Sequence, residues 1–373
     1  MSGPGSPAGT AGRPVPWLRI FRAPRLATDA RKLILATLGL VALALGWQGL
    51  DALFAGAGRF QPPGPGASLD WDTTAKIVAD HLTRLADPIR VVIEPAIGVF
   101  QIGEGVSAFL HATLALAWAS IVWSLTGGAI ARIAMVEQVD GEGIGISRAL
   151  RFAARKAVPL IGAPLCPWVG IAILAAPCAL LGLLYRVPGN IGAAMAGALE
   201  FLPLLAGLVM ALILIGLAAG WPLMVAAVAA EGEDGFDALS RSYSYVFQRP
   251  GRYLAYAALA LIGGALGWLV VRLVAALVLH LAAWALAFGA PDPRVLDLVA
   301  GDPARAGSTA AGLHQFWRSL VGLLAYAWIY SFFWTAAAVV YGLLRHDVDG
   351  TPRDQVYRPD RTDPGARPVD PSV

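Results

Sequence analysis

The sequence predicts an all-α protein: a polytopic transmembrane helical bundle of six spans, with amphipathic interfacial helices on its cytoplasmic face. Three observations predict it. Only 14% of the 373 residues are charged and 57% are hydrophobic, with a mean hydropathy of +0.63, where soluble domains carry roughly 25% charge. So few charges cannot cover so much apolar surface in water, and a disordered chain would be poor in apolar residues. Six stretches reach the ~20 apolar residues needed to cross ~30 Å of hydrocarbon. Their runs do not alternate in polarity as barrel strands do, so helices must satisfy the backbone within lipid.

The chain reads in order as follows. Residues 1–32 form a cytoplasmic segment: Met1–Pro14 is Gly/Pro-rich and reads as disordered, and Trp17–Leu26 places Arg19, Arg22 and Arg25 among Trp17, Ile20, Phe21 and Leu26. The membrane domain, 33–348, opens with span Leu33–Phe54. Ala55-Gly56-Ala57 has the form of a cleavage site but lies too far from the apolar centre to end a signal peptide. The outer loop, 55–106, is the one sizeable soluble piece expected, with a helix over Trp71–Ala86 and acids Asp70, Asp72, Asp80, Asp87, Glu94 and Glu104. Spans Ser107–Ala131, Val158–Leu184, Pro203–Ala230, Tyr253–Leu273 and Ser319–Leu344 follow. Gly189–Leu202 reads as an outer-surface segment. Apolar sequence runs on past Leu273 to Phe288, an extension at the outer face. Residues 349–373 read as a disordered cytoplasmic tail.

Arg and Lys set the orientation. The N-terminal segment, the second and fourth loops and the C-terminal tail hold most of them, while the other side has Arg59, Lys76, Arg84 and Arg90 in a long loop, then Arg186, Arg294 and Arg305. Both termini are therefore expected in the cytoplasm of a bacterial cell, with the spans in its cytoplasmic (inner) membrane.

Two inner loops resemble each other. Asp140-Gly141-Glu142 precedes Ser147-Arg148, and Glu231-Gly232-Glu233 precedes Ser240-Arg241; Phe152 then matches Tyr245, and Lys156 matches Arg249. Each loop makes an acidic Gly turn and runs through a basic helix into the next span, as a parallel repeat would; helix–loop chemistry alone could give the same pattern. Arg148, Arg151 and Arg155 recur at i, i+3 and i+7 beside Lys156, forming one basic face. With Arg241, Arg249 and Arg252 they are the expected contacts for anionic lipid headgroups or a protein partner, at ~1 kcal/mol per basic residue near the surface. The bland alternative is that they only enforce topology.

The second of these loops carries a resemblance. Glu231-Gly232…Ala238-Leu239-Ser240-Arg241-Ser242-Tyr243, ahead of Arg249-Pro250-Gly251-Arg252-Tyr253, is similar to a motif of uncharacterised bacterial multi-pass proteins and of the membrane domain attached to some glycerophosphodiester phosphodiesterases. It covers about 60 of the 373 residues. It implies a helical membrane architecture and no activity, because that family's catalytic domain has no counterpart in this chain.

Chemistry-bearing patterns are few. A phosphate-binding loop needs Gly-x-x-x-x-Gly-Lys-Ser/Thr, and the three lysines, Lys32, Lys76 and Lys156, do not supply it. The five histidines are scattered, Glu231, Glu233, Asp234 and Asp237 lack calcium-loop spacing, and Cys166 and Cys178 lie too far apart along one helix for a disulfide. No cofactor, metal or nucleic-acid partner is expected. Arg272 and His280 are the candidate intramembrane polar groups, with snorkelling as the simpler reading. Gly216/Gly220 and Gly263/Gly267 are small-xxx-small pairs expected to pack spans four and five together. Pro159, Pro164, Pro167 and Pro177, with Pro203 and Pro222, should kink spans three and four. The expectation is a membrane component without a catalytic motif, touching lipid or partners. The rivals are a solute channel or transporter built on the Pro-broken spans and, behind it, a lipid-modifying enzyme.

Overall fold

The computed structural model describes residues 16–54, 60, 83–101, 103–188, 190–289, 309–352 and 355–357. A 3-10 turn, Pro16–Arg22, leads to α1 (Ala23–Ala27) and α2 (Ala30–Leu53). Then come α3 (Asp87–Val99), α4 (Gly105–Asp140), α5 (Ile146–Arg155), α6 (Ala157–Gly182) and α7 (Asn190–Ala198). The chain closes with α8 (Phe201–Glu231), α9 (Gly235–Gln248), α10 (Pro250–Gly289) and α11 (Thr309–Asp349). No strand occurs among the described residues. Six helices, α2, α4, α6, α8, α10 and α11, are long and apolar enough to cross a membrane. The protein is an all-α polytopic bundle.

α11 is the central helix. Its stretch from Tyr326 to Leu344 is almost wholly buried, because its aromatics fill gaps left by small residues on its neighbours. Trp334 lies against Gly127 of α4 and Phe332 against Gly264 of α10. Tyr330 stacks on Trp123 with ring centres 4.4 Å apart, and Trp221 of α8 meets Trp334 edge-on at 5.2 Å. Tyr326, Tyr330 and Trp334 therefore pack between helices. Both described chain ends meet at one end of the bundle, where Arg19 shares a crevice with Gly342, Arg345 and Gln355. This is called the terminal end below, and the opposite one the far end.

Several expected boundaries move for identifiable reasons. The second span was expected to stop at Ala131, before Arg132, yet α4 runs to Asp140. Arg132 is 4% exposed and has partners inside the protein, so its charge does not end the helix. α10 is one unbroken helix to Gly289, about 60 Å at 1.5 Å per residue, so the apolar extension continues the span. α6 and α8 stay helical through Pro164, Pro167, Pro177 and Pro222, so they are not broken helices. Gly189–Leu202 holds the short helix α7, with Gly189 itself outside the described residues.

The largest correction concerns the loop 55–106. The helix expected over Trp71–Ala86 lies mostly outside the described residues. α3 packs against α4 along its length. Its last turn places Gly98 against Ala112, and its first turn places Ile89 beside Ser120, Trp168 and Trp221. Ser120 is eight residues further along α4 than Ala112, ~12 Å deeper.

The paired loops recur as paired folds. α4–α5–α6 and α8–α9–α10 each run as membrane helix, Gly turn, amphipathic helix, membrane helix. Gly141 and Gly232 both take left-handed backbone, φ 78° and 64°, and each returns its N–H to the carbonyl four residues back, Glu137 and Val228.

Candidate functional site

The end of α8 gathers most of the polar contacts of the terminal end. A helix C-terminus leaves carbonyls unpaired and carries the negative pole of the helix dipole. Here other elements supply the donors. Arg132 of α4 donates to the Ala229 carbonyl at 2.8 Å, the Tyr357 N–H to the Ala230 carbonyl at 2.9 Å, and Lys156 to the Gly232 carbonyl. Arg132 also donates to the Tyr357 carbonyl and lies 4.7 Å over the Phe152 ring. The Lys156 ammonium sits 5.5 Å over the Tyr357 ring. The tail expected to be disordered from Asp349 on is packed where it is described at 355–357; 353–354 and 358–373 lie outside the described residues.

Carboxylates complete this hub. Glu231 accepts from the Tyr341 hydroxyl, its same oxygen lies 3.0 Å from Arg345 Nε, and its other oxygen accepts from Arg241. Arg241 also donates to Glu233 at 2.6 Å. Tyr245 donates to Asp349 and Tyr256 to Asp347 at 2.6 Å. Burial, and then the adjoining Glu231, push Glu233 up to about 7. Burial works against Arg241, but the two carboxylates hold its guanidinium above the usual range. The second oxygen of Glu233 is enclosed and has no hydrogen-bond partner among the described residues. Asp234 caps α9 by accepting from the Phe236 and Asp237 N–H groups at 2.9 Å each. Among the described residues no group of three or more His, Cys, Asp or Glu is placed to hold a metal ion. Acids tied to Arg and Tyr in this way hold helix ends against one another.

The smaller turn of the repeat is closed by the same chemistry. Lys32, fully buried, reaches Glu137 at 2.5 Å and the Leu26 carbonyl at 2.7 Å. Arg31 donates to the Gly143 carbonyl at 2.6 Å. In both turns the cation comes from a distant element, which fixes one helix end against another.

The seven basic residues expected to meet lipid divide. Arg148, Arg151 and Arg155 are exposed on α5 while Ala149, Phe152 and Ala153 on its other face are buried, so α5 is an amphipathic helix with a free basic side. Arg249 is exposed as well. Arg252 is held 3.1 Å from Asp347 with half its side chain exposed. Lys156 and Arg241 differ from these: Lys156 donates to the Gly232 carbonyl and Arg241, 36% exposed, pairs with Glu231 and Glu233. Trp17, Leu18 and Phe21 stand exposed beside Arg19, Arg22 and Arg25, the composition of an interfacial segment.

Arg272 and His280 stay eight residues apart on α10 and do not converge; His280 is exposed. The glycine pairs do not face each other. Gly216 and Gly220 receive Tyr243 of α9, and Gly263 and Gly267 receive Pro24 of α1, with Trp328 of α11 also against Gly267. Small residues do mark close approach, but to aromatics and a proline from other elements rather than between spans four and five. The cavity beside Pro164 is about 30 Å³ and lined mainly by apolar groups, Trp168, Leu217 and Trp221 among them. Cys166 is exposed and Cys178 half-buried, both free.

Sequence reasoning missed Asp87, Arg132, Lys32 and Tyr357. Asp87, expected in the outer loop, is 6% exposed and accepts from the Tyr326 hydroxyl at 2.7 Å. Its signal was present: Asp87, Arg90 and Glu94 stand at i, i+3 and i+7 among Ile and Val, but thirteen residues are too few to register as a span.

Together these features define a multi-pass helical membrane protein with a clamped polar end and one free basic helix face. No protein-family model matches the chain, and no curated protein and no solved structure matches it either.

Proposed function

We propose that this chain is a non-catalytic component of the bacterial cytoplasmic membrane whose terminal end faces the cytoplasm and binds anionic lipid headgroups on α5. The observation that carries this reading is the free basic face. Arg148, Arg151 and Arg155 project exposed from a helix anchored by Phe152, with no salt bridge to a carboxylate among the described residues. Exposed Leu150 and Val158 flank them, so cations and apolar side chains meet where headgroups meet acyl chains. Neutralising three such residues should remove on the order of 3 kcal/mol of attraction at low salt.

The test uses the full chain in lipid nanodiscs of mixed phosphatidylglycerol and phosphatidylcholine, with bound lipid counted by native mass spectrometry. Wild type should retain phosphatidylglycerol preferentially, and R148Q/R151Q/R155Q should lose that preference. Equal retention by the two proteins would remove lipid contact at α5. The same face would then be left to an acidic protein partner or to enforcing topology.

A further inference from the structure

α3 brings a carboxylate to the middle of the bundle. On α4 the stretch between His111, which pairs with Asp51 at 2.9 Å, and Arg132 carries no ionisable residue and spans ~31 Å, the thickness of a hydrocarbon layer. Ser120, level with the start of α3, lies nine residues inside His111, ~14 Å deep. Ionisable groups at such depth are costly and face a water-filled cavity or a partner. α3 carries such a group with partners and an exposed pair beside it. Asp87 is buried, with Tyr326 at 2.7 Å and Arg90 at 3.4 Å. Arg90 and Glu94, joined at 2.7 Å, leave 51% and 41% of their side chains exposed, a charged stripe leading from Asp87 toward the far end.

A second observation is independent of the acid. Tyr330 lies edge-on to Tyr326, ring centres 5.7 Å apart. Its hydroxyl is fully enclosed within reach of the Tyr326 hydroxyl, and Ser124 Oγ on α4 and Thr335 Oγ1 on α11 are enclosed with no hydrogen-bond partner among the described residues. Each enclosed unpaired hydroxyl costs about 1–3 kcal/mol, so Phe and Ala would hold a merely structural core more firmly.

We propose that Asp87 is a proton-binding site at membrane depth, exchanging its proton with far-end water along the Arg90–Glu94 stripe, with Tyr326 and Tyr330 as its buried hydroxyl partners. The groups around it are Arg84, Arg90 and Glu94 from its own segment and Tyr326 and Tyr330 from α11. The α6 and α8 side offers Pro164, Trp168, Leu217 and Trp221. Arg90, and Arg84 within electrostatic reach, oppose a metal cation. A hydronium ion of the far-end water gives up one O–H bond, leaving water, as its proton binds the Asp87 oxygen facing Arg90, while the other oxygen keeps the Tyr326 bond. No redox partner is needed, and the site acts independently of lipid contact at α5.

The test is difference infrared spectroscopy of the full chain in nanodiscs between acidic and alkaline buffer, in an E233Q background so that the hub carboxylate is silent. Against the bands of the chain's other acids, one pH-dependent protonated-carboxyl component should be lost from the difference spectrum in Asp87→Asn. Tyr326→Phe removes a donor to the carboxylate and should raise the midpoint by on the order of one pH unit. If Asp87→Asn does not fold, the Tyr326→Phe shift decides alone. Protonated-carboxyl difference spectra identical with and without Asp87→Asn, or a midpoint of that component that Tyr326→Phe leaves in place, overturn the proposal.

Discussion

At the scale of single residues, the terminal end is organised by charge placed against backbone. Arg132, Lys156 and Tyr357 satisfy the carbonyls that α8 leaves open, and Arg241 grips Glu231 and Glu233 together. Glu233 gives this a pH signature. Its proton leaves at about 7 when folded, against 4.5 in the unfolded chain. Between those values the folded state binds more protons, so stability falls as pH rises through that interval. Thermal unfolding in detergent should therefore drop by a few °C on going from acid to neutral pH, and E233Q should flatten the slope. An unchanged slope in E233Q would remove Glu233 from the hub's titration. Little of this was legible beforehand. The acidic Gly turn and Arg241 stood out in the sequence, but Arg132 looked like the end of a span, and Tyr357 stood in a Gly/Pro-rich tail. Periodicity marks which residues share a helix face; it does not say which distant backbone carbonyl a cation will reach.

At the scale of elements, the two Gly turns are the informative comparison. Both end a membrane helix in left-handed backbone, so an alanine costs about 1–2 kcal/mol at either. A side chain at Gly141 meets open space, whereas one at Gly232 meets the Tyr357 ring. G232A should thus lower the unfolding temperature clearly more than G141A, because it also lifts the tail and its bonds to Ala230 and Arg132. Equal losses would mean that Tyr357 is not seated on the turn. The six membrane helices, the amphipathic α5 and the repeat of the two turns could all be read from apolar run length and 3.6-residue spacing. α3 could not: it is short, and its entry into the bundle depends on Tyr326 and on room beside α4. The glycine pairs marked close approach correctly but not the partner, since a gap for a ring looks the same in sequence as a gap for a helix.

At the scale of the whole molecule, scarce charge is sorted by position. Paired acids and cations hold the terminal end, free arginines line one face there, and the far end extends α10 beyond what a bilayer of ~30 Å covers. Six membrane helices among the described residues bring both described ends of the chain to one end of the bundle, and the Arg excess is the ground for proposing that this end faces the cytoplasm. Lipid contact by α5 depends on this assignment, since the basic face must meet the leaflet on that side. The most direct measurement is a pair of reporter fusions, one at each terminus, read in intact bacterial cells. Both should report cytoplasm; a C-terminal reporter on the outside would contradict the six-span bundle, and both reporters outside would reverse the membrane face to which α5 is assigned.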